Sequence, residues 1–250
     1  MLYYTILVTI GELSAWDLPM RGRRALADNG GTHMSYLKDL FQALDMGSLT
    51  EAATRLLGVF LCLTIHETCH GLAAYAMGDP TAKSMHRLSL NPLRHIDWIG
   101  LCMMFFCGFG WAKPVPVDPR YFKKPKQGMA VTALAGPVSN LLLALLLLLG
   151  TRLIYDFAPY TGVWNGIFRF LFDTAILSIG LGVFNLVPIP PLDGSKVLAA
   201  FLPDRAYFQL MRYERYGILL LLLLSFGGVG GGAVSTAILW VYQLFFNLIY

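Results

Sequence analysis

From Met129 to Gly150 the chain runs without one charged side chain, and every position from Leu141 to Leu149 except Ala144 is leucine. A helix rises 1.5 Å per residue, so about 20 such residues cross the hydrocarbon layer of a bilayer. Backbone polar groups in lipid must be satisfied within the segment itself, so a chain with such a stretch folds around membrane-spanning helices. Composition agrees: 56% of residues are hydrophobic and 14% charged, where soluble domains are nearer a quarter charged. The expected fold class is an all-α polytopic membrane protein. The net charge of +4 is modest and calls for no nucleic-acid partner. The lipid bilayer is the partner that composition implies.

Further spans are expected at about 54–78 and 166–186, with a C-terminal apolar stretch at 216–249 broken by Gly227–Gly232. Residues 79–128 carry eight Lys and Arg against Asp79, Asp97 and Asp118, whereas the loop 155–165 carries neither Lys nor Arg. By the positive-inside tendency the first region is cytoplasmic and the second lies outside. Within the basic region, 96–109 is apolar but too short to cross. The Trp111-Ala-Lys-Pro-Val-Pro-Val117 run after it cannot be helical, because its prolines confine it to an edge or a turn. Non-helical backbone at membrane depth is tolerated only against protein or a wet cavity, so a re-entrant, β-like element is expected there. Before residue 52, Met1–Ile10 reads as a weak membrane or interfacial segment. Met34, Leu37, Leu40, Phe41 and Leu44 then trace the stripe of an amphipathic surface helix. The expected division is an N-terminal region 1–51, a core 52–215 and C-terminal membrane helices 216–250.

The chemistry sits in the first clear span. Leu56–Ile65 and Gly71–Gly78 are uncharged, yet between them stands His66-Glu67-Thr68-Cys69-His70. A carboxylate at the bilayer centre costs on the order of 3 kcal/mol or more, so it is not retained without a role. Histidines four apart lie on one helical face, about 40° from each other, and can bind one metal ion. Glu67 is about 100° round from His66 and can hold an attacking water.

Two histidines leave zinc needing a third protein ligand. Asp193 is the best candidate. It is the first acid after nineteen uncharged residues, and the proline run Pro188-Ile-Pro-Pro191 ends the preceding span at the histidines' face. His86 and His95 are weaker candidates, reading as surface residues of the basic loop. Asn140, an amide in a leucine-rich span, reads either as interhelical glue or as a group polarising a peptide carbonyl. Cys62, Cys69, Cys102 and Cys107 form no CxxC pair and read as small buried hydrophobes.

At these positions the chain resembles the site-2 protease family of intramembrane zinc metalloproteases. The matching elements are His66-Glu-Thr-Cys-His-Gly71, Ala135-Gly-Pro137 with Asn140, and Asn185-Leu-Val-Pro-Ile-Pro-Pro-Leu-Asp-Gly194. Gly110-Trp-Ala-Lys-Pro-Val-Pro-Val117 is similar to the short bacterial branch, in which neither a PDZ nor a CBS domain is expected. The resemblance covers about residues 52–215 and implies a three-helix catalytic core with flanking helices. It implies one zinc held by His66, His70 and Asp193, with Glu67 as general base and Asn140 as a substrate-carbonyl contact. The implied substrate is a transmembrane protein or peptide. The implied setting is the bacterial inner membrane, with the site nearer the cytoplasmic face. A metal transporter or a catalytically silent adaptor is the rival reading. The former would need polar groups staged along spans that offer almost none.

Overall fold

The computed structural model describes residues 49–107, 111–159, 161–217, 219 and 231–250. The expected N-terminal membrane segment, the amphipathic helix and most of the glycine break lie outside these residues. Long helices dominate: α1 (Leu49–Ala76), α4 (Pro125–Phe157), α5 (Gly162–Asn185) and α8 (Gly231–Ile249). Each contains a stretch long and apolar enough to cross a membrane. Shorter helices connect them: α2 (Thr81–Ser84), α3 (Trp98–Cys107), α6 (Asp193–Ala199) and α7 (Asp204–Tyr213).

The central helix is α4, which packs on α1, α5, α6 and α8. The core joins Ala144 and Leu148 of α4, Ala175, Ile176 and Ile179 of α5, Val59 and Cys62 of α1, and Ile238 and Tyr242 of α8. The opposite face of α4 shows Leu142, Leu146, Leu149 and Leu153 outward, as a lipid-facing surface should. The α1–α4–α5 core and its flanking helix therefore match the expected architecture.

The element ends differ from the sequence reading for local reasons. Pro125 opens α4 at its first turn, where its missing N–H costs nothing. At the far end α4 passes Gly150 and runs to Phe157 because Arg152 and Asp156, one turn apart, pair at 2.7 Å and neutralise each other. The apolar stretch too short to cross becomes α3, whose first turn is capped by Asp97: its Oδ1 accepts from Ile99 and Gly100 N–H at 2.9 Å each.

The Pro/Val element is extended rather than a full strand. Among the described residues its sheet-like contact is an antiparallel bridge between Ile96 and Ala112. Lys113 N–H donates to the His95 carbonyl at 2.9 Å, and Arg87 Nη2 donates to the Lys113 and Pro114 carbonyls.

The end of α1 anchors this element. Gly78 takes φ +104, a conformation glycine adopts without steric cost. The fully buried Asp79 follows. Its Oδ1 accepts from the Thr81 N–H (2.9 Å) and hydroxyl (2.5 Å), and its Oδ2 accepts from Asp118 N–H at 2.7 Å. Each buried donor left unpaired costs about 1–3 kcal/mol, so Asp79→Ala is expected to destabilise the protein by roughly 2–4 kcal/mol. Thermal unfolding in detergent should show a lowered midpoint; an unchanged midpoint would contradict the anchoring role.

Candidate metal centre

His66 and His70 point from α1 into the α1–α4 interface, and both are buried. The Asn185–Leu192 turn carries the chain from the end of α5 to Asp193, the first residue of α6. That turn is tight: a Cβ on Gly194 would collide with the backbone of Leu186, reaching 2.7 Å from the Val187 carbonyl oxygen. Two crossings, α4 and α5, thus return an acid to the histidines although Asp193 lies far downstream in sequence.

The three donor atoms form a near-equilateral triangle. His66 Nε2 is 3.0 Å from His70 Nε2, and Asp193 Oδ2 is 3.1 Å from the first and 3.2 Å from the second. An ion holding tetrahedral ligands at about 2.1 Å would space them about 3.4 Å apart, so a small adjustment admits zinc. Two nitrogens and one carboxylate oxygen are a zinc donor set, with the fourth position left for water. Burial alone would push the Asp193 carboxyl up, but hydrogen bonds to His66 and His70 outweigh it and hold the group well below the usual carboxylate range. The acid therefore stays ionised, as a ligand must.

The face of α4 opposite the histidines is built from Thr132, Gly136 and Asn140, spaced by four like the histidines themselves. His70 Nδ1–H donates to the Thr132 carbonyl at 2.7 Å, which keeps a proton on Nδ1 and, in a metal-loaded site, would leave Nε2 to the ion. Gly136 lets the rings approach: a Cβ there would lie 2.5 Å from His70 Cε1 and 2.7 Å from His66 Cε1. Asn140 is completely buried, its Nδ2 3.2 Å from His66 Nδ1. Its amide thus joins α4 to α1 through the first histidine. Pro137 lacks the N–H that would pair with the Ala133 carbonyl, so the α4 ladder is interrupted at this level.

Glu67 points elsewhere. Its Oε2 accepts the Val115 N–H at 2.9 Å, so the Pro/Val element lies directly on the carboxylate. It is half-buried, one residue from the first histidine.

His86 and His95 stand apart from the triad. His86 is exposed, with φ 54, and Arg94 donates to its carbonyl. The surface reading of His95 needs correction: it is 2% exposed, held by a 2.7 Å bond from Nε2 to the Ser89 carbonyl. That carbonyl also accepts from Thr68 Oγ1 at 3.0 Å, so the histidine helps pin the basic loop to α1. The expectation of buried cysteines holds for Cys62, whereas Cys69 is half-buried and Cys102 is exposed on α3. Gly136 and Val115 stood in the sequence motifs without an assigned role, and Thr132 was not singled out, because they act through a missing side chain, a backbone N–H and a carbonyl respectively. The four-residue spacing Thr132–Gly136–Asn140 was the available signal.

Comparison with known proteins bears on the same elements. The profile described as Peptidase family M50 matches residues 154–225, which include Asp193. Two relatives bear the name "Putative zinc metalloprotease". YwhC of Bacillus subtilis (strain 168) is 38% identical over 168 residues, covering 66% of this chain and 77% of the relative. Rip2 of Mycobacterium tuberculosis (strain H37Rv) is 31% identical over 193 residues, covering 75% and 72%. "Zinc metalloprotease RasP" of Oceanobacillus iheyensis is 52% identical over a shorter stretch of 52 residues, 21% of this chain and 12% of the relative. No solved structure gives a significant match. With the buried donor triad set among membrane-length helices and a relative matched over most of its length, the chain belongs to peptidase family M50, in line with its resemblance to the site-2 proteases.

Proposed function

We propose that this integral membrane zinc metalloprotease cleaves peptide bonds of transmembrane segments, with His66, His70 and Asp193 holding the metal and Glu67 moving the proton. The observation that carries the reading is the convergence of three buried donor atoms from α1 and α6, all within 4.8 Å of one another. Zinc, when bound, supplies Lewis acidity that polarises the scissile carbonyl and makes a neighbouring water easier to deprotonate. Glu67 accepts that water's proton on a carboxylate oxygen and returns it to the departing amide nitrogen. Bound by its Oε2 to Val115 N–H, the carboxylate is held in orientation before substrate arrives.

A peptide bond in a helix is shielded by its own hydrogen bonds, so the substrate must unwind before attack. The extended 111–117 segment beside Glu67 is suited to receive it as an added strand. Water and product pass on the cytoplasmic side. The basic region 79–128 marks that face, and α1 ends six residues past His70, about 9 Å along the helix axis. We assign the protein to a bacterial inner membrane, consistent with the bacterial relatives.

The test is metal content. Purified protein should hold about one zinc per chain, and His66→Ala, His70→Ala or Asp193→Ala should each lose it on dialysis. Stoichiometric zinc surviving in the histidine double variant would reject the site.

A further inference from the structure

We propose that Asn140 is the positioning residue of His66: its side-chain oxygen accepts the Nδ1 proton and fixes the tautomer that leaves Nε2 free for the metal. The inference rests on His66 being a metal ligand, as read above, and extends that reading to the residue behind its Nδ1.

Three observations carry it. First, the two histidines are served in parallel by one face of α4. His70 Nδ1 has the Thr132 carbonyl at 2.7 Å, and two turns along α4 the Asn140 amide stands 3.2 Å from His66 Nδ1. Each imidazole therefore meets a polar group on the ring nitrogen turned away from Asp193. Second, chemistry dictates the direction of the Asn140 bond. A neutral imidazole binding through Nε2 keeps its proton on Nδ1 and must donate there. Only the amide oxygen can receive that proton, so the metal-loaded site needs Asn140 to present Oδ1. Oxygen and nitrogen of an amide exchange places by a half-turn of the side chain. Asn140 Oδ1 has no protein partner although it is fully buried, so that turn breaks no hydrogen bond of the oxygen. Third, Asn140 is held at a fixed depth. Ser178 Oγ of α5 donates to its backbone carbonyl at 2.8 Å, and a completely buried amide has little freedom to reach elsewhere.

An acceptor role and a donor role separate cleanly by substitution. Aspartate keeps an oxygen for His66 but cannot donate to a peptide carbonyl. Leucine keeps the size and can do neither. The experiment measures zinc affinity by competition with a chromophoric chelator, using purified wild-type protein, Asn140→Leu, Asn140→Asp and His66→Ala. Thermal melting of each in zinc-free buffer is measured alongside. The expected result is that Asn140→Leu weakens zinc roughly 10- to 100-fold, the usual effect of losing a partner behind a metal-bound histidine. Asn140→Asp should stay within a few-fold of wild type, and zinc-free melting should not follow the zinc series. Wild-type zinc affinity in Asn140→Leu, or an Asn140→Asp as weak as Asn140→Leu, overturns the proposal. If His66→Ala binds zinc as tightly as wild type, the metal reading beneath it fails instead. A measurement that needs no variant is nitrogen-15 NMR of the zinc-loaded wild type, where His66 should carry its proton on Nδ1; an unprotonated Nδ1 also overturns the proposal.

Discussion

Glu67→Gln is expected to keep its zinc and lose proteolysis by roughly 10²- to 10⁴-fold, the usual contribution of a positioned proton-transfer group. The substitution is nearly isosteric, and the glutamine carbonyl can still accept the Val115 N–H that Glu67 Oε2 accepts at 2.9 Å. The Pro/Val element should therefore stay in place. The three donor atoms of the triad do not include Glu67, so metal content should not change. What is lost is the capacity to take a proton from water, because a neutral amide is not a base near pH 7. Turnover of a labelled transmembrane peptide and zinc content, measured on the same preparation, check both halves. Near-normal turnover with zinc intact would remove Glu67 from the mechanism.

The second large effect is expected at a residue with no side chain. Gly136→Ala places a methyl group 2.5 Å from His70 Cε1 and 2.7 Å from His66 Cε1, and on His70 Nε2 itself. Helix propensity alone argues the other way, since alanine inside a helix is worth about 0.5–1 kcal/mol over glycine. The collision is with the two rings proposed to carry the metal, and they cannot retreat without leaving Asp193. Misplacement of a reacting constellation by about 1 Å can cost on the order of 100-fold in rate. Activity and zinc affinity should therefore fall by about that factor or more, while the melting temperature of the zinc-free protein changes little. A variant with wild-type zinc affinity would show that α4 can shift to accommodate the methyl group.

The membrane architecture was legible because charge-free length needs no tertiary information: the spans expected at about 54–78, 129–150 and 166–186 are all built as helices. Their ends were less legible. The charge-free span was read as Met129 to Gly150, yet Arg152 and Asp156, paired at i,i+4, carry α4 on to Phe157. The donor triad that the structure brings together was legible for two separate reasons. His66 and His70 declare themselves by helical spacing, and Asp193 by counting crossings. The surrounding shell was not. The Thr132 carbonyl, the bare backbone of Gly136 and the N–H of Val115 belong to backbone, which has no residue-type signature. His95 read as a surface residue because its neighbours are basic. Its burial follows from a bond to Ser89 that only the folded loop creates.

The most direct test is cleavage of a labelled transmembrane peptide by the purified protein in lipid vesicles, followed before and after removal of zinc with a chelator. Cleavage should disappear on stripping and return as zinc is added back, with full recovery at one equivalent per chain. Cleavage that persists in the stripped protein, or that zinc does not restore while the protein remains folded, would contradict a mechanism centred on His66, His70 and Asp193.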